Sequence, residues 1–205
     1  MTNPAVRLTR RLATALAVAA LAGAAFAQQA EVALPDDVVL GQANAPVTIV
    51  EYASVGCPHC ATFHVEVWPQ LKARYIDTGK VRFVYREMLT GAPALAFGGF
   101  ITARCVPKAR YLDVVETIAH NYDALNQSID LKGDMKALAG RMGVSAAQFE
   151  ACYKSDAKAV MVARSRSNGQ HGRVTGTPTF VINGRRMAGP ETLEAFDAAI
   201  AAAGG

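Results

Sequence analysis

Two strand patterns separated by a single helical pattern constrain the fold of this chain more than any other feature. Val47–Ala53 is rich in β-branched and aromatic residues and Val81–Arg86 alternates, so both segments are predicted as strands. Pro58–Thr78 carries apolar residues at steps of four and is predicted as a helix, which Pro69 should kink or break. Because the connections are short, these elements predict a βαβ unit with parallel strands and a right-handed crossover.

From about Ala92 to Arg166 the chain becomes an Ala-rich block with helical patterns. The predicted helices are Pro93–Val106, Lys108–Ala124, Leu131–Met142 and Ser145–Ser167, the last with a candidate break near Ser155. Ser145 and Gln148 have the spacing of a capping box at a helix N-terminus. This block therefore predicts a helical unit that interrupts the strand-containing part of the chain.

Strand patterns return after the helical block. Thr179–Ile182 is predicted as a strand, Asn183-Gly184 as a hairpin turn and Arg185–Ala188 as the return strand. A last helix, Glu191–Ala202, is predicted to follow Pro190. The order βαβ, helical block, ββα predicts an α/β protein in which an all-helical unit is inserted into one fold.

The N-terminus has the pattern of a secretory signal peptide. Basic residues Arg7, Arg10 and Arg11 precede an apolar run, Leu12–Ala25, and Ala25-Phe26-Ala27 fits the small-x-small cleavage rule. Residues 1–27 are therefore predicted to be removed after Ala27. The alternative is a membrane anchor, but a span needs about 20 strongly apolar residues and this run is shorter. We expect a periplasmic protein whose mature part does not span a membrane.

The charge of the chain argues against one class of partner. The formal net charge is +4, and without the three arginines of the signal segment the remaining residues carry +1. Binding to nucleic acid usually needs a basic stripe on the protein surface. We therefore expect no nucleic-acid partner.

The motif Cys57-Pro58-His59-Cys60 lies where the first strand ends and the helix begins. A helix N-terminus stabilises a thiolate, and a protonated His59 would add positive charge, so the pKa of Cys57 should be lowered and Cys60 should act as the resolving thiol. The alternatives are a structural disulfide, or half of a zinc site to which His64 could add a ligand. Disulfides persist outside the cytosol, so export favours redox chemistry, with no bound metal and no cofactor.

Two motifs together carry a family resemblance. With Cys57-Pro58-His59-Cys60 and the later segment Gly176-Thr177-Pro178-Thr179-Phe180-Val181-Ile182-Asn183-Gly184, the chain resembles the DsbA-like periplasmic thiol:disulfide oxidoreductases of the thioredoxin superfamily. The resemblance covers about Val47 to Ala201. It implies a thioredoxin-like domain at residues 28–91 and 167–205, and an inserted helical domain at 92–166. It also implies a cis bond before Pro178, in a loop whose Thr177 and Gly176 bind an extended substrate peptide beside the disulfide.

The resemblance also suggests roles for four further residues. Glu51 stands where the family places a buried acid that relays the proton of the resolving thiol, although it could instead be a solvent-facing strand residue. His64 stands where the best-known members carry an acid, so it is either part of this relay or a residue on a helix face. Cys105 and Cys152 correspond to a second, structural disulfide in the helical domain; the alternative is two buried thiols.

The function implied is that of an oxidase that donates disulfides to reduced exported proteins and is reoxidised by a membrane thiol oxidase. Within the same chemistry, a disulfide isomerase or reductase remains an alternative, because Thr177 before Pro178 does not distinguish them. A different class also remains open: a non-catalytic periplasmic binding module or metal carrier on the same fold.

Overall fold

A computed structural model describes residues 34–187 and 191–205. The predicted signal peptide, residues 1–27 with cleavage after Ala27, lies outside the described residues, as do Ala188 and Pro190. Within the described ranges the strands are β1 (Val38–Leu40), β2 (Val47–Ala53), β3 (Val81–Glu87), β4 (Thr179–Ile182) and β5 (Arg185–Arg186). They form one mixed sheet in the order β1-β3-β2-β4-β5.

The centre of the sheet is the predicted βαβ unit. Strand β2 pairs in parallel with β3, so that Glu51 lies opposite Tyr85, and pairs antiparallel with β4, so that Glu51 also faces Phe180. All seven residues of β2 are buried, because its neighbours cover both edges and helices and loops cover both faces. Strand β1, which the sequence pattern did not predict, is antiparallel to β3 and is only three residues long, too short to show alternation.

The helix predicted over Pro58–Thr78, with a kink or break at Pro69, is interrupted in the structure and ends at Ile76. The structure has α1 (Pro58–Glu66), a break at Val67, α2 (Trp68–Leu71) and a π-helical segment (Lys72–Ile76). Pro69 cannot donate a backbone hydrogen bond to the preceding turn, so it is tolerated only in the first turn of a new helix. The kink or break expected at Pro69 is thus observed as a break at Val67, directly before the new helix that begins at Trp68.

The described residues of the middle of the chain form helices joined by short turns, without a strand. Its elements are α3 (Pro93–Cys105), a 3₁₀ turn (Lys108–Arg110), α4 (Tyr111–His120), α5 (Tyr122–Asn126), α6 (Leu131–Arg141), α7 (Ala146–Cys152) and α8 (Ser155–Gly172). The helix expected over Lys108–Ala124 is therefore split in three. The reciprocal capping box of Ser145 and Gln148 is present. The predicted break near Ser155 is also present, because α7 ends at Cys152 and α8 begins at Ser155. The predicted boundary between the helical domain and the thioredoxin-like domain lies between residues 166 and 167, inside helix α8. The boundary therefore remains a prediction.

The C-terminal elements are shorter than predicted. The return strand is Arg185–Arg186 rather than Arg185–Ala188, and α9 is Leu193–Ala202 rather than Glu191–Ala202. Helix α9 begins where it does because the Thr192 hydroxyl caps it by accepting a hydrogen bond from the Ala195 N–H.

The core lies between the sheet and the helices that surround it. Phe63 of α1 packs against Phe180 of β4 and Phe196 of α9, with ring centroids 4.7 and 5.6 Å away. A disulfide joins Cys105 at the end of α3 to Cys152 at the end of α7. Of the helices in the described ranges, none is both long and apolar enough to cross a bilayer.

Candidate active site

The Cys57-Pro58-His59-Cys60 motif lies at the junction of β2 and α1. Cys57 is the N-cap residue of α1 and Pro58 occupies its first turn, where a missing N–H costs nothing. Both cysteines are free thiols; Cys57 is 6% exposed and Cys60 3%. Pro58 and His59 are exposed on the turn between them. A substrate can therefore approach the edge of Cys57, whereas Cys60 faces the interior.

The environment of Cys57 favours its thiolate. Hydrogen bonding by the Cys60 thiol is the largest cause that lowers the pKa of Cys57, from 9.0 to about 5. Burial opposes the shift, while hydrogen bonds from the Thr177 side chain and from the backbone of Cys60 and His59 add to it. The sequence predicted the direction from the helix N-terminus, with a protonated His59 as an additional cause; the contribution that the structure identifies for His59 is a backbone hydrogen bond.

The environment of Cys60 has the opposite effect. Burial raises the pKa of the Cys60 thiol well above 9.0, and hydrogen bonding to Cys57 and the negative charge of Glu51 raise it further. The Ser54 N–H lies 3.5 Å from Cys60 Sγ and partly offsets these effects. Two thiols three residues apart therefore prefer different protonation states at neutral pH, one a thiolate and the other a neutral thiol.

The loop before β4 completes the site. The Thr177-Pro178 peptide bond is cis, and Cys57 Sγ lies 3.3 Å from the Thr177 carbonyl oxygen. Gly176 is exposed beside it, and Thr177 and Pro178 are partly exposed. The structure thus brings together Cys57, Cys60 and the Gly176–Pro178 segment.

Glu51 and His64 form a buried pair beneath the cysteines. His64 Nε2 lies 3.1 Å from Glu51 Oε2, and the side chains of His64 and Glu51 are 1% and 0% exposed. The sequence left open that Glu51 faces solvent and that His64 simply lies on a helix face. The structure instead buries both side chains and pairs them with each other. The strand that carries Glu51 is central in the sheet, and His64, one helical turn after Cys60, shares the inward face of α1.

Sequence reasoning missed several residues around the motif. The Thr90 hydroxyl is hydrogen-bonded to that of Thr177, the Ser54 hydroxyl donates to the Thr90 carbonyl, and the Tyr122 hydroxyl donates to the Gly56 carbonyl. Tyr85, opposite Glu51 in the sheet, is buried at the same site. Apart from Ser54, these residues come from loops and elements distant from the motif in the sequence. Only strand register could have indicated Tyr85.

The described residues offer no metal site: none of their His, Cys, Asp and Glu side chains form a group of three or more that could hold an ion.

Comparison with known proteins gives the family. A family model described as thioredoxin matches residues 33–202. The chain belongs to the thioredoxin family. A Rickettsia conorii protein provisionally named a protein-disulfide oxidoreductase is 31% identical over 154 residues, which are 73% of this chain and 54% of that protein. The chain thus spans only a little over half the length of the curated relatives of this kind that it matches.

Solved structures of DsbA-like proteins share the fold of this chain. Alpha-DsbA1 of Wolbachia pipientis has a TM-score of 0.73 at 24% identity, over 85% of this chain and 94% of that one. Oxidised BdbD of Bacillus subtilis has a TM-score of 0.68 at 20% identity, over 82% and 92%. The predicted thioredoxin-like fold and the resemblance to DsbA-like proteins are therefore confirmed.

Proposed function

We propose that this protein is a thiol:disulfide oxidoreductase that acts as an oxidase, donating the Cys57–Cys60 disulfide to other proteins. One observation supports this most strongly: Cys57 is poised as a thiolate at the edge of the site, while Cys60 is buried as a neutral thiol. A stabilised thiolate favours the reduced form of the pair, which makes its disulfide a stronger oxidant.

In the proposed reaction, a substrate thiolate attacks Cys57 Sγ of the oxidised protein. The Cys57–Cys60 bond breaks, its electron pair goes to Cys60 Sγ, and Cys60 takes up a proton. A second substrate thiolate then attacks the substrate sulfur of the mixed disulfide, and Cys57 leaves as a thiolate. The substrate gains a disulfide and the protein becomes a dithiol. Attack at Cys57 is favoured because it is the more accessible sulfur.

The Gly176–Pro178 loop would hold the substrate. Extended peptides can pair with an exposed backbone segment through main-chain hydrogen bonds, and such pairing accepts peptides of many sequences. The Thr177 carbonyl lies 3.3 Å from Cys57 Sγ, so a peptide paired with this segment would place its cysteine at the attacked sulfur. Gly176 leaves room for the approach, since an added Cβ there would meet nothing within 4 Å.

Glu51 and His64 would handle the proton of the buried thiol. Cys60 must gain a proton when the disulfide opens and lose it when the disulfide forms again, although it is 3% exposed. The paired carboxylate of Glu51 and imidazole of His64 are buried beneath it. We assign them the role of a proton relay.

The cellular context follows from the N-terminal pattern. Residues 1–27 would direct export to the periplasm, where the substrates would be reduced exported proteins. Reoxidation of the dithiol would need a thiol oxidase, and for an exported protein we assign this role to a membrane partner. The alternatives of isomerase and reductase use the same cysteines and differ in the potential of the pair.

The first experiment measures oxidative refolding of a reduced test protein by the oxidised protein. Cys57→Ala and Cys60→Ala should both abolish the activity, because neither variant can form the Cys57–Cys60 disulfide. With a disulfide-bonded substrate, the Cys57 thiolate of Cys60→Ala should attack the substrate disulfide and remain in a mixed disulfide, because no resolving thiol is present. The control is the Cys105→Ala/Cys152→Ala variant, which lacks the two cysteines outside the active-site motif and should refold the substrate at the wild-type rate. Wild-type activity in Cys57→Ala would overturn the proposal.

The second experiment measures the reduction potential of the Cys57–Cys60 pair against glutathione. An oxidase should lie well above thioredoxin at about −270 mV and towards the DsbA value of about −120 mV. A potential as low as that of thioredoxin would contradict the oxidase assignment and support a reductase. Tight stoichiometric binding of zinc by the reduced protein would instead support a metal carrier.

A further inference from the structure

Three loops meet at the end of the sheet that carries the redox motif. They are Ser54–Gly56 after β2, Met88–Ala92 after β3 and Gly176–Pro178 before β4. The Ala92 N–H donates to the Gly56 carbonyl oxygen, 2.7 Å away. A Cβ on Gly91, whose φ is +75°, would lie only 1.9 Å from the same oxygen. The loop after β3 is therefore packed directly against the residue that precedes Cys57.

Hydroxyl groups extend this contact from the interior towards the reactive sulfur. The buried Ser54 hydroxyl donates to the Thr90 carbonyl oxygen, 2.8 Å away, and so fixes the backbone at Thr90. The Thr90 hydroxyl is hydrogen-bonded to the Thr177 hydroxyl. The Thr177 side chain is hydrogen-bonded to Cys57, whose sulfur lies 3.3 Å from the Thr177 carbonyl oxygen. Thr90 is therefore connected to the nucleophile through Thr177.

The direction of the hydrogen bond between the two threonines decides what reaches the sulfur. Each hydroxyl has one proton, so a Thr177 that donates to Thr90 has none left for the Cys57 thiolate. Within the described part of the chain, the Thr90 hydroxyl is hydrogen-bonded to Thr177 alone, whereas the Thr177 side chain is also hydrogen-bonded to Cys57. Hydrogen bonds to an ionised acceptor are the stronger ones. Both protons are therefore used when Thr90 donates to Thr177 and Thr177 donates to the thiolate.

We infer that Thr90 is a positioning residue, whose hydroxyl turns the Thr177 hydroxyl towards Cys57 and so stabilises the reduced form of the Cys57–Cys60 pair. Hydrogen bonds in a chain polarise one another, so a hydroxyl that accepts a bond is a stronger donor. The thiolate exists only in the reduced protein, so this effect acts on one redox form and makes the disulfide a stronger oxidant. The inference rests on the proposed function, because it concerns the oxidising strength of the same pair.

The loop after β3 is held through its backbone, independently of the Thr90 side chain. The Met88 N–H donates to the Ala53 carbonyl oxygen, and the Ala92 N–H and the Thr90 carbonyl are bonded as described above. A substitution that removes only the Thr90 hydroxyl should therefore leave the loop in place. If the hydroxyl had a purely structural role, its loss would destabilise both redox forms equally and leave the reduction potential unchanged.

The closing experiment measures the equilibrium in which two glutathione thiols reduce the Cys57–Cys60 disulfide and form one glutathione disulfide. All proteins carry Cys105→Ala/Cys152→Ala, so that glutathione acts only on the active-site pair. Thr90→Val removes the hydroxyl at nearly constant volume. The equilibrium constant for reduction of the protein should fall about threefold, because the Thr177 donor is weakened and no longer oriented. The alkylation midpoint of Cys57 should rise in the same variant.

Two further variants separate the hydroxyl from the volume of the side chain. Thr90→Ser restores a hydroxyl at the same position and should restore the wild-type equilibrium constant and midpoint. Thr117→Val removes a partly buried hydroxyl that donates to the Asp113 carbonyl within α4, and it should match the wild type.

A double-mutant cycle tests whether Thr90 acts through Thr177. In a Thr177→Val background the link to the sulfur is already lost, so Thr90→Val should have no further effect on the equilibrium constant. If Thr90→Val does not fold, Thr90→Ala takes its place, with the same expected change.

A wild-type equilibrium constant in the Thr90 variant, no recovery in Thr90→Ser, or equal effects with and without Thr177→Val would each overturn the inference. Failure of the proposed function looks different. The wild type would then have a potential as low as that of thioredoxin, while the difference between the wild type and Thr90→Val would still decide the role of the hydroxyl.

Discussion

Cys57 Sγ lies 3.3 Å from the carbonyl oxygen of Thr177, although the two residues are 120 positions apart in the sequence. This contact joins the start of α1 to the loop before β4. The Thr177 side chain also lowers the pKa of Cys57. The nucleophile and the segment proposed to bind substrate are therefore one unit, and a change in the loop should alter the chemistry of the cysteine.

The first prediction concerns the titration of Cys57. Alkylation of the reduced protein, or its thiolate absorbance, should show a midpoint near pH 5, because hydrogen bonds from Cys60 and Thr177 stabilise the thiolate. Thr177→Val removes one of these donors and should raise the midpoint. Thr175→Val, at an exposed position two residues earlier, should leave it unchanged. If the midpoint did not shift in Thr177→Val, the Thr177 side chain would not contribute to the lowered pKa of Cys57.

The second prediction concerns stability and pH in the reduced protein. The pKa of Cys57 is lower in the folded state than its ordinary value of 9.0. Its contribution to stability is therefore complete above about pH 9, decreases as the pH falls, and is lost below about pH 5. The free energy of unfolding of the reduced protein should accordingly fall, relative to that of Cys57→Ser, between pH 9 and pH 5.

Urea unfolding at pH 5, 7 and 9 measures this difference. All variants should carry Cys105→Ala/Cys152→Ala, so that the reductant acts only on the active-site pair. The oxidised protein serves as a control because its Cys57 does not titrate. Parallel pH profiles for the wild type and Cys57→Ser would mean that folding does not stabilise the thiolate.

The motif and the loop could be predicted from the sequence because each is a local pattern. Residue types and the neighbouring strand patterns indicate both motifs, Cys57-Pro58-His59-Cys60 and Thr177-Pro178. The burial of Glu51 could not be settled in this way, because period-two alternation assumes that one face of a strand is wet, whereas β2 is buried on both faces. The partners Tyr85 and Thr90 depend on strand register and loop path, which single-sequence patterns do not contain.

The third prediction is that the charge of Glu51 affects the pKa of Cys60 but not the pKa of Cys57. The charge of Glu51 is among the causes that raise the pKa of Cys60, while the pKa of Cys57 owes its shift to other groups. Glu51→Gln keeps the shape and a hydrogen-bonding group beside His64 but removes the charge. The pKa of Cys60, followed by NMR in a Cys57→Ser background, should fall relative to Cys57→Ser alone. In the otherwise wild-type protein, the alkylation midpoint of Cys57 should not move.

The fourth prediction concerns a buried ion pair on the far side of β3. Arg86 donates to both carboxylate oxygens of Asp37 and to the Tyr52 hydroxyl, and Arg86 and Asp37 are both buried. Asp37→Ala removes the carboxylate that neutralises the buried Arg86 and should cost about 3–5 kcal/mol of unfolding free energy. At the exposed pair of Lys72 and Asp77, Asp77→Ala should cost less than about 1 kcal/mol.

The double variant Asp37→Leu/Arg86→Met tests the reason for this cost. Replacing both charges with apolar side chains leaves no buried ion, so most of the lost stability should return. Urea unfolding gives all three values. If the double variant were as unstable as Asp37→Ala, the stability lost in Asp37→Ala would come from packing rather than from the removal of the Asp37 charge beside Arg86.

The fifth prediction concerns the Cys105–Cys152 disulfide, which links the ends of α3 and α7 across a sequence separation of 47. A loop of this length should stabilise the folded state by about 4 kcal/mol in the chain-entropy model, and measured effects are commonly 2–4 kcal/mol. In a Cys57→Ala/Cys60→Ala background only this bridge can be reduced. Urea unfolding with and without reductant should then differ by about 2–4 kcal/mol. A difference within experimental error would contradict the prediction, because it would mean that the bridge does not stabilise the folded state relative to the unfolded chain.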